Sequence, residues 1–436
     1  MSCMKFHSHD HAEHIPPASQ GKILFKNCTI FDGINEQLDT GQDVLVEKNL
    51  ISKIVPTGST SFDNIDTILD CEGRTLIPGL IDCHWHSVVA ALDMASLMNS
   101  DMTYIGIVAG CAAKETLLRG FTSCRDLGGA TFGLKKATDN GTIEGPRIYP
   151  CGAFISQTSG HFDFRPPNYV PSNPGDSLDY LQRNGMMLVC DGVPEILKRT
   201  REVLRMGATH IKIAGGGGVA SQYDYVDVSE FRLDEVKAAV DCAKAWNTYV
   251  CAHVLTDAAI RTCVEAGVKT IEHGNLASRE TLELMKEKDP ILNDEDAIPF
   301  PPGSPQQEKF EYVTNGTIAT AKMAKEIGVK MAFGTDILFD KKLADKQGRF
   351  LSKMPKCGFT PYEALKMATS TNAEVLKLCN QRDPYPHALG VVQEGAYADL
   401  ILVDGNPLED LDLISQPKEK FIAIMKDGKL HKNMFE

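Results

Sequence analysis

The sequence predicts an α/β protein: a (β/α)8 TIM-like barrel carrying a small β-sandwich assembled from both chain ends. Three observations lead there. The centre alternates strand and helix patterns with polar residues at the strand ends; this is the rhythm of a parallel sheet, and so many repeats favour a barrel over an open sheet. Both termini carry short alternating strands joined by polar turns instead. The 436 residues exceed one small domain and suit a barrel with an appendage. The expected division is a disordered polar tail over 1–21, sandwich strands over 22–76 and 389–436, and the barrel over 77–388.

Composition narrows the function classes. Hydrophobic residues make up 43% of the chain and charged residues 24%, ordinary values for a globular enzyme. A formal charge of −13 argues against nucleic acid or an anionic membrane as partner, since both demand basic surface. No apolar run approaches the ~20 residues of a membrane span, and the first residues lack the basic-then-apolar order of a signal peptide. Thirteen cysteines are scattered without a C-x-x-C pair, the usage of reduced thiols in an intracellular chain. The expectation is a soluble, cytoplasmic protein acting on a small molecule.

His7, His9, His11 and His14 lie in a polar tail ahead of any strand and read as a mobile, non-catalytic segment. Residues 22–34 and 43–55 read as strands, as do 398–403 and 421–425, with Asp427-Gly428 as a hairpin turn. The stretch 75–87, TLIPGLIDCHWHS, is an apolar run broken by Pro78-Gly79 and ending in a polar cluster. Alternation along a strand puts His84 and His86 on one face with Asp82 below them. Two imidazoles about 7 Å apart can bite a single metal ion. Two ordinary histidines in a buried strand fit that stretch alone equally well.

In the centre, 104–118 reads as a helix stopped by Gly120 and followed by the strand FTSCRD, ending at Asp126. Residues 147–156 form another strand. The helix 194–206 has Ile196, Thr200, Val203 and Leu204 on one face and runs through Gly207 into the strand 210–214. Helices over 233–246, 258–266 and 318–327 lead to the strands YVCAH, TIEH and VKMAFGTD. Thr360, Pro361 and Glu363 open a final helix with a capping hydroxyl. The Pro-rich, acidic stretch 289–316 should hold the seventh strand. It offers only a distorted one around 297–300, unless the barrel is irregular there.

Active sites of such barrels lie at the C-terminal strand ends. Here those ends carry His84, His86, Asp126, Lys212, His253, His273 and Asp336. Singly, each has a packing explanation: satisfied core histidines, a paired lysine, a helix-capping aspartate. Jointly they are costly to bury without a metal. The run Gly215–Gly218 with Val219-Ala220 imitates G-x-G-x-x-A after a strand, but the polar, aromatic loop SQYDYVDVSEF follows it in place of a helix. A dinucleotide site is therefore dismissed, and the glycines are read as letting a loop pass close to the site.

The motifs PGLIDCHWH, GFTSCRDLGG, TSGHFD, HIKIAGGGG, AHV, EHG and FGTD, with the tail TSTNAEVL…GVVQEGAYADLILVDGNPLED, resemble the amidohydrolase superfamily in its binuclear, carboxylated-lysine branch. The resemblance runs from Lys22 to Lys432. It implies that His84, His86 and Asp336 hold one divalent ion, most simply Zn2+, and that His253 and His273 hold a second. Lys212 would be N-carboxylated, its carbamate bridging the two. It further implies a metal-activated water, with Asp336 moving the proton to the leaving nitrogen and His161 hydrogen-bonding the substrate carbonyl. Asp126 is read as orienting a neighbouring group.

The stretch after Lys212 looks like the cluster of Xaa-Pro dipeptidases, imidazolonepropionase-related proteins and ochratoxin-hydrolysing amidases. Their substrates are amides next to a carboxylate, for which Tyr223, Tyr225 and Arg165 are the candidate donors, with the long loop 157–191 as a wall or lid. The segment 289–316 departs from that pattern, lacking a V-P-T-L-like run and a longer helical insertion. Three functions follow: a metal-dependent amidase or dipeptidase, a hydrolase of cyclic amides or carbamates, and a catalytically silent scaffold protein. A homo-oligomer is the default that the resemblance implies.

Overall fold

A computed structural model describes residues 21–166, 168, 177–221, 223–294 and 304–435. The histidine tail, part of the loop 157–191 and the stretch 297–300 lie outside them. Strands from both chain ends form one eight-stranded sheet. Thr75–Pro78 sits near its middle, antiparallel to Leu400–Val403 and parallel to the end of Lys22–Ile30. Asp39–Glu47 and Leu50–Pro56 extend one side, Phe421–Lys426 and Lys429–Asn433 the other. Asp427 and Gly428 both have positive φ, as a tight hairpin turn requires. Val44, Val46 and Ile51 from one half share a core with Leu400, Leu402 and Met425 from the other, so the sheet curls back as the two layers of a sandwich. Ile77, Ile401, Val403 and Phe421 pack with the core of the central domain.

Gly79 carries the chain out of this sheet. A Cβ there would lie 2.2 Å from the Thr122 hydroxyl, so the crossing requires glycine. The central strands follow, all parallel: β1 (Leu80–Trp85), β2 (Phe121–Asp126), β3 (Arg147–Pro150), β4 (Ile211–Ala214), β5 (Val250–Thr256), β6 (Thr270–Leu276), β7 (Ile291–Asp294) and β8 (Met331–Phe333). β1–β3 form one ladder and β4–β8 belong to another. The expected strand 147–156 is interrupted: Gly152 has φ +73° and breaks the pairing before Phe154–Ser156, which then joins β4. The Thr209 amide donates to the Pro150 carbonyl at 2.8 Å across that seam.

At the other seam, the Asp336 amide donates to the His84 carbonyl at 2.8 Å and Trp85 bridges Ile337 in parallel. The side-chain amide of Asn372 donates to the Ile81 and Phe333 carbonyls at 2.7 and 2.8 Å, stitching β1 to β8. Asn372 is set there by a π-helical turn over Met367–Thr371, just after the helix that Thr360 and Glu363 cap reciprocally.

The helices follow their apolar stripes. Gly192–Arg205 buries Ile196, Thr200, Val203 and Leu204, the face expected from period 3.6. A strand of the parallel ladder is present before that stretch as β7, while the expected 297–300 lies outside the described residues. ILND has only two apolar residues between acidic neighbours, too short for a periodic signal. The helix after it is Pro305–Ile327, longer than the expected 318–327 and opened by a Ser304 cap. Among the described residues no helix is long and apolar enough to cross a membrane.

Candidate metal centre

β1 delivers His84 and His86, both 1% exposed, to the C-terminal mouth of the barrel. Asp336, three residues beyond β8, meets them: its Oδ1 is 3.3 Å from His84 Nε2 and 3.0 Å from His86 Nε2. One ligating atom from each of the three lies within 4.8 Å of the others. Asp336 reaches inward because its backbone adopts φ +44°, and His273 midway along β6 does the same with φ +73°. His253 Nδ1 and His273 Nε2 stand 2.7 Å apart. His253 Nε2 is 3.2 Å from the Gly217 carbonyl, which fixes that nitrogen as the N–H and leaves the lone pair on Nδ1. His84 is oriented the same way, with Nδ1 3.1 Å from Glu272 Oε2.

Lys212 on β4 is 1% exposed, and its Nζ has no hydrogen-bond partner among the described residues. It lies over the Phe154 ring, 5.6 Å from the ring centre. A bare ammonium so placed is costly to bury. Burial, then the neighbouring Lys212 charge, pushes His84 down to about 4. Burial likewise holds His253 and His273 below the ordinary histidine range, so these rings are neutral, the ligating form. Burial opposes ionisation of Asp336, but His84 and His86 beside it keep its carboxyl well below the usual carboxylate range.

The residues behind the cluster hold it in place. Asp82 accepts from the His84 amide at 3.0 Å, the Thr335 hydroxyl at 2.6 Å and the Gln347 amide at 2.8 Å, tying β1 to the turn after β8. Asp126 is not one of the three clustered groups and accepts from the Ser87 amide at 2.7 Å and the Thr131 hydroxyl at 2.8 Å, fixing the turn after His86. Glu272, which sequence reasoning passed over inside TIEH, accepts two 2.8 Å bonds from Arg125. An acid and an arginine in otherwise apolar strands were the available signal. Asp224, which meets His161, and Lys309, which meets Asp224, had no such signal, because neither stands in a periodic apolar run.

His161 and Phe162 line the cavity above the cluster, which has about 660 Å³ of empty space including its mouth. Val219, Ala220, Leu255, Val313 and Leu338 make its apolar wall. Tyr223, Tyr225 and Arg165 are not among the lining residues. Tyr225 is 73% exposed, and Arg165 forks onto Asp163 at 2.7 and 2.6 Å. The glycine run serves close approach, as read from the sequence, though to other partners: a Cβ on Gly217 would strike the Tyr225 carbonyl, and one on Gly218 the His161 ring.

Comparison with known proteins places these features. Residues 75–435 match the model of the Amidohydrolase family. The chain is 32% identical to the ochratoxinase of Aspergillus niger over 386 residues, covering 82% of this chain and 75% of that one. The crystal structure of an amidohydrolase superimposes with a TM-score of 0.85 at 34% identity, covering 95% of this chain and all of the other. That of a prolidase complexed with N-methylphosphonate-L-proline gives 0.82 at 32% identity, covering 94% and 100%.

Proposed function

The chain belongs to the amidohydrolase family, and on that premise we propose that it is a binuclear metal-dependent hydrolase cleaving the C–N bond of a dipeptide or N-acyl amino acid. The observation that carries the reading is the convergence of His84, His86, Lys212, His253, His273 and Asp336 on one cavity. His84, His86 and Asp336 would hold one divalent ion and His253 with His273 the other, with an N-carboxylated Lys212 shared between them. The donor set fits: the imidazoles of His84, His253 and His273 are neutral, and a carbamate would turn the Lys212 Nζ, unpartnered among the described residues, into an anionic ligand. Zn2+ suits so nitrogen-rich a site. When bound, such ions supply Lewis acidity to an amide carbonyl and lower the pKa of water towards neutrality.

The chain's own groups do the rest. Asp336, ionised and a quarter exposed at the cavity floor, takes the proton of the attacking water and returns it to the leaving nitrogen. His161 stands above the cluster, where it hydrogen-bonds the substrate's carbonyl oxygen as charge develops. The wall of Val219, Leu255, Val313 and Leu338 excludes water and accepts an apolar substituent. The names of an ochratoxinase and a prolidase among the relatives support an amide as substrate. A silent scaffold would have no reason to keep the full donor set.

The test is metal analysis joined to hydrolysis of a panel of Xaa-Pro, Xaa-Phe and N-acyl amino acids, with cyclic amides and carbamates as the competing class. About two divalent ions per chain and cleavage that chelator abolishes and metal restores are expected. Cleavage that persists in metal-free protein would overturn the proposal.

A further inference from the structure

Three segments far apart in the chain meet over His161. Lys309, on the helix Pro305–Ile327, has a side chain only 15% exposed. Its ammonium donates to the carbonyls of Gly218 at 3.2 Å, Ser221 at 3.1 Å and Asp224, and lies 3.5 Å from Asp224 Oδ1. An ammonium has three donors, so this one is fully engaged by the loop after β4 and has none left for substrate. The other oxygen of the same carboxylate, Asp224 Oδ2, accepts from the Gly218 amide at 2.6 Å and lies 3.0 Å from His161 Nδ1. Asp224 is therefore shared between a lysine on one side and an imidazole on the other.

The imidazole is confined on its remaining sides. It stacks on His253 with ring centres 4.0 Å apart and presses on the Cα of Gly218, where a Cβ would come within 2.2 Å of Cε1. Its backbone amide donates to Glu230 at 2.6 Å, and the Ser221 hydroxyl lies 3.2 Å from Nδ1. With Nδ1 engaged, Nε2 is the nitrogen left for the cavity. A buried ion pair is seldom the cheapest way to stabilise a loop, since apolar residues of similar size do it as well or better. Its presence at the cavity wall calls for another purpose.

We propose that Asp224 and Lys309 are a positioning pair that presents His161 to the substrate, which makes the helix Pro305–Ile327 a working part of the site as well as its wall. The proposal rests on the hydrolase reading above. Asp224→Asn keeps the shape of the acceptor but not its charge, and Lys309→Met keeps the aliphatic stem. In 15N-histidine-labelled protein, a slowly exchanging His161 imidazole N–H, identified by its loss in His161→Gln, is expected in the parent, absent in Asp224→Asn and broadened in Lys309→Met. That measurement needs no substrate.

With the best-cleaved amide of the panel, Asp224→Asn is expected to lower kcat about 10- to 100-fold with KM unchanged. In a His161→Gln background, neither substitution should cost anything further. Additive losses, or a His161 N–H unaltered in both variants, would overturn the proposal. A metal-loaded parent that cleaves nothing in the panel would instead end the hydrolase reading, and the N–H measurement would still decide this one.

Discussion

Two groups of ionisable side chains lie inside the same barrel, one around Arg125 and one at the mouth, and differ in how fully they are satisfied. In the lower group, Arg125 donates to the Cys83 carbonyl at 2.6 Å, the Thr270 hydroxyl at 2.9 Å and both oxygens of Glu272 at 2.8 Å. In the upper group, His253 and His273 set nitrogen against nitrogen, and Lys212 Nζ meets no acceptor among the described residues. Arg125, Glu272 and Lys212 are all at most 1% exposed, so burial does not separate structure from function here. Saturation does: the network around Arg125 is closed on itself and holds the fold, whereas Lys212 at the mouth is the buried charge that the proposed function has to account for. Glu272 belongs to both, since it also orients His84.

The sharpest way to break this contrast is to remove the proposed proton carrier of the upper group. Asp336→Asn is expected to cut turnover by about 10³-fold or more, while changing the stability of the metal-free protein by less than about 1 kcal/mol. Steady-state kinetics and denaturant unfolding together check it. The mirror experiment is Arg125→Met, which strands the Glu272 charge in the interior. It is expected to cost about 3–5 kcal/mol in urea unfolding, and Arg125→Met with Glu272→Gln should recover part of that loss.

A smaller effect is expected beneath the barrel, where Arg147 is paired with Asp399 and Asp427 and Lys426 is buried beside them. Burial, then the Arg147 charge, pushes the Lys426 ammonium down to about 8 from its ordinary 10.5. The folded chain therefore binds fewer protons than the unfolded chain between those values, and stability rises with pH across that window. Lys426→Met should stabilise the protein by about 1–2 kcal/mol at pH 7, and the gain should vanish above about pH 10. Thermal unfolding at a series of pH values reads this directly.

Much of this was legible in the sequence, for identifiable reasons. The candidate ligands stood out because each is a polar residue within or at the end of an apolar run, where it has no packing purpose. The helix Gly192–Arg205 was legible because its stripe is uninterrupted. β7 was missed because a four-residue strand carries no period, and the start of the helix Pro305–Ile327 because its first turns face the loop after β4 and not the main core. Tyr223, Tyr225 and Arg165 were picked for chemistry alone, and the fold turns two of them elsewhere: Tyr225 to solvent and Arg165 onto Asp163. Asp224 and Lys309 needed the third dimension, since no spacing links them to His161.

The sheet that binds the two chain ends has a bearing on synthesis. Pro78 pairs with Leu400, and Thr75 with Val403, so a strand that leaves the ribosome early has to wait for one made much later. Until those arrive, Leu76 and Ile77 lie along an open edge, the kind of surface on which nascent chains stick to one another. A message truncated before Leu400 would therefore yield a barrel whose first strands have lost their cover, and such a product should be found in aggregates or in the grip of chaperones.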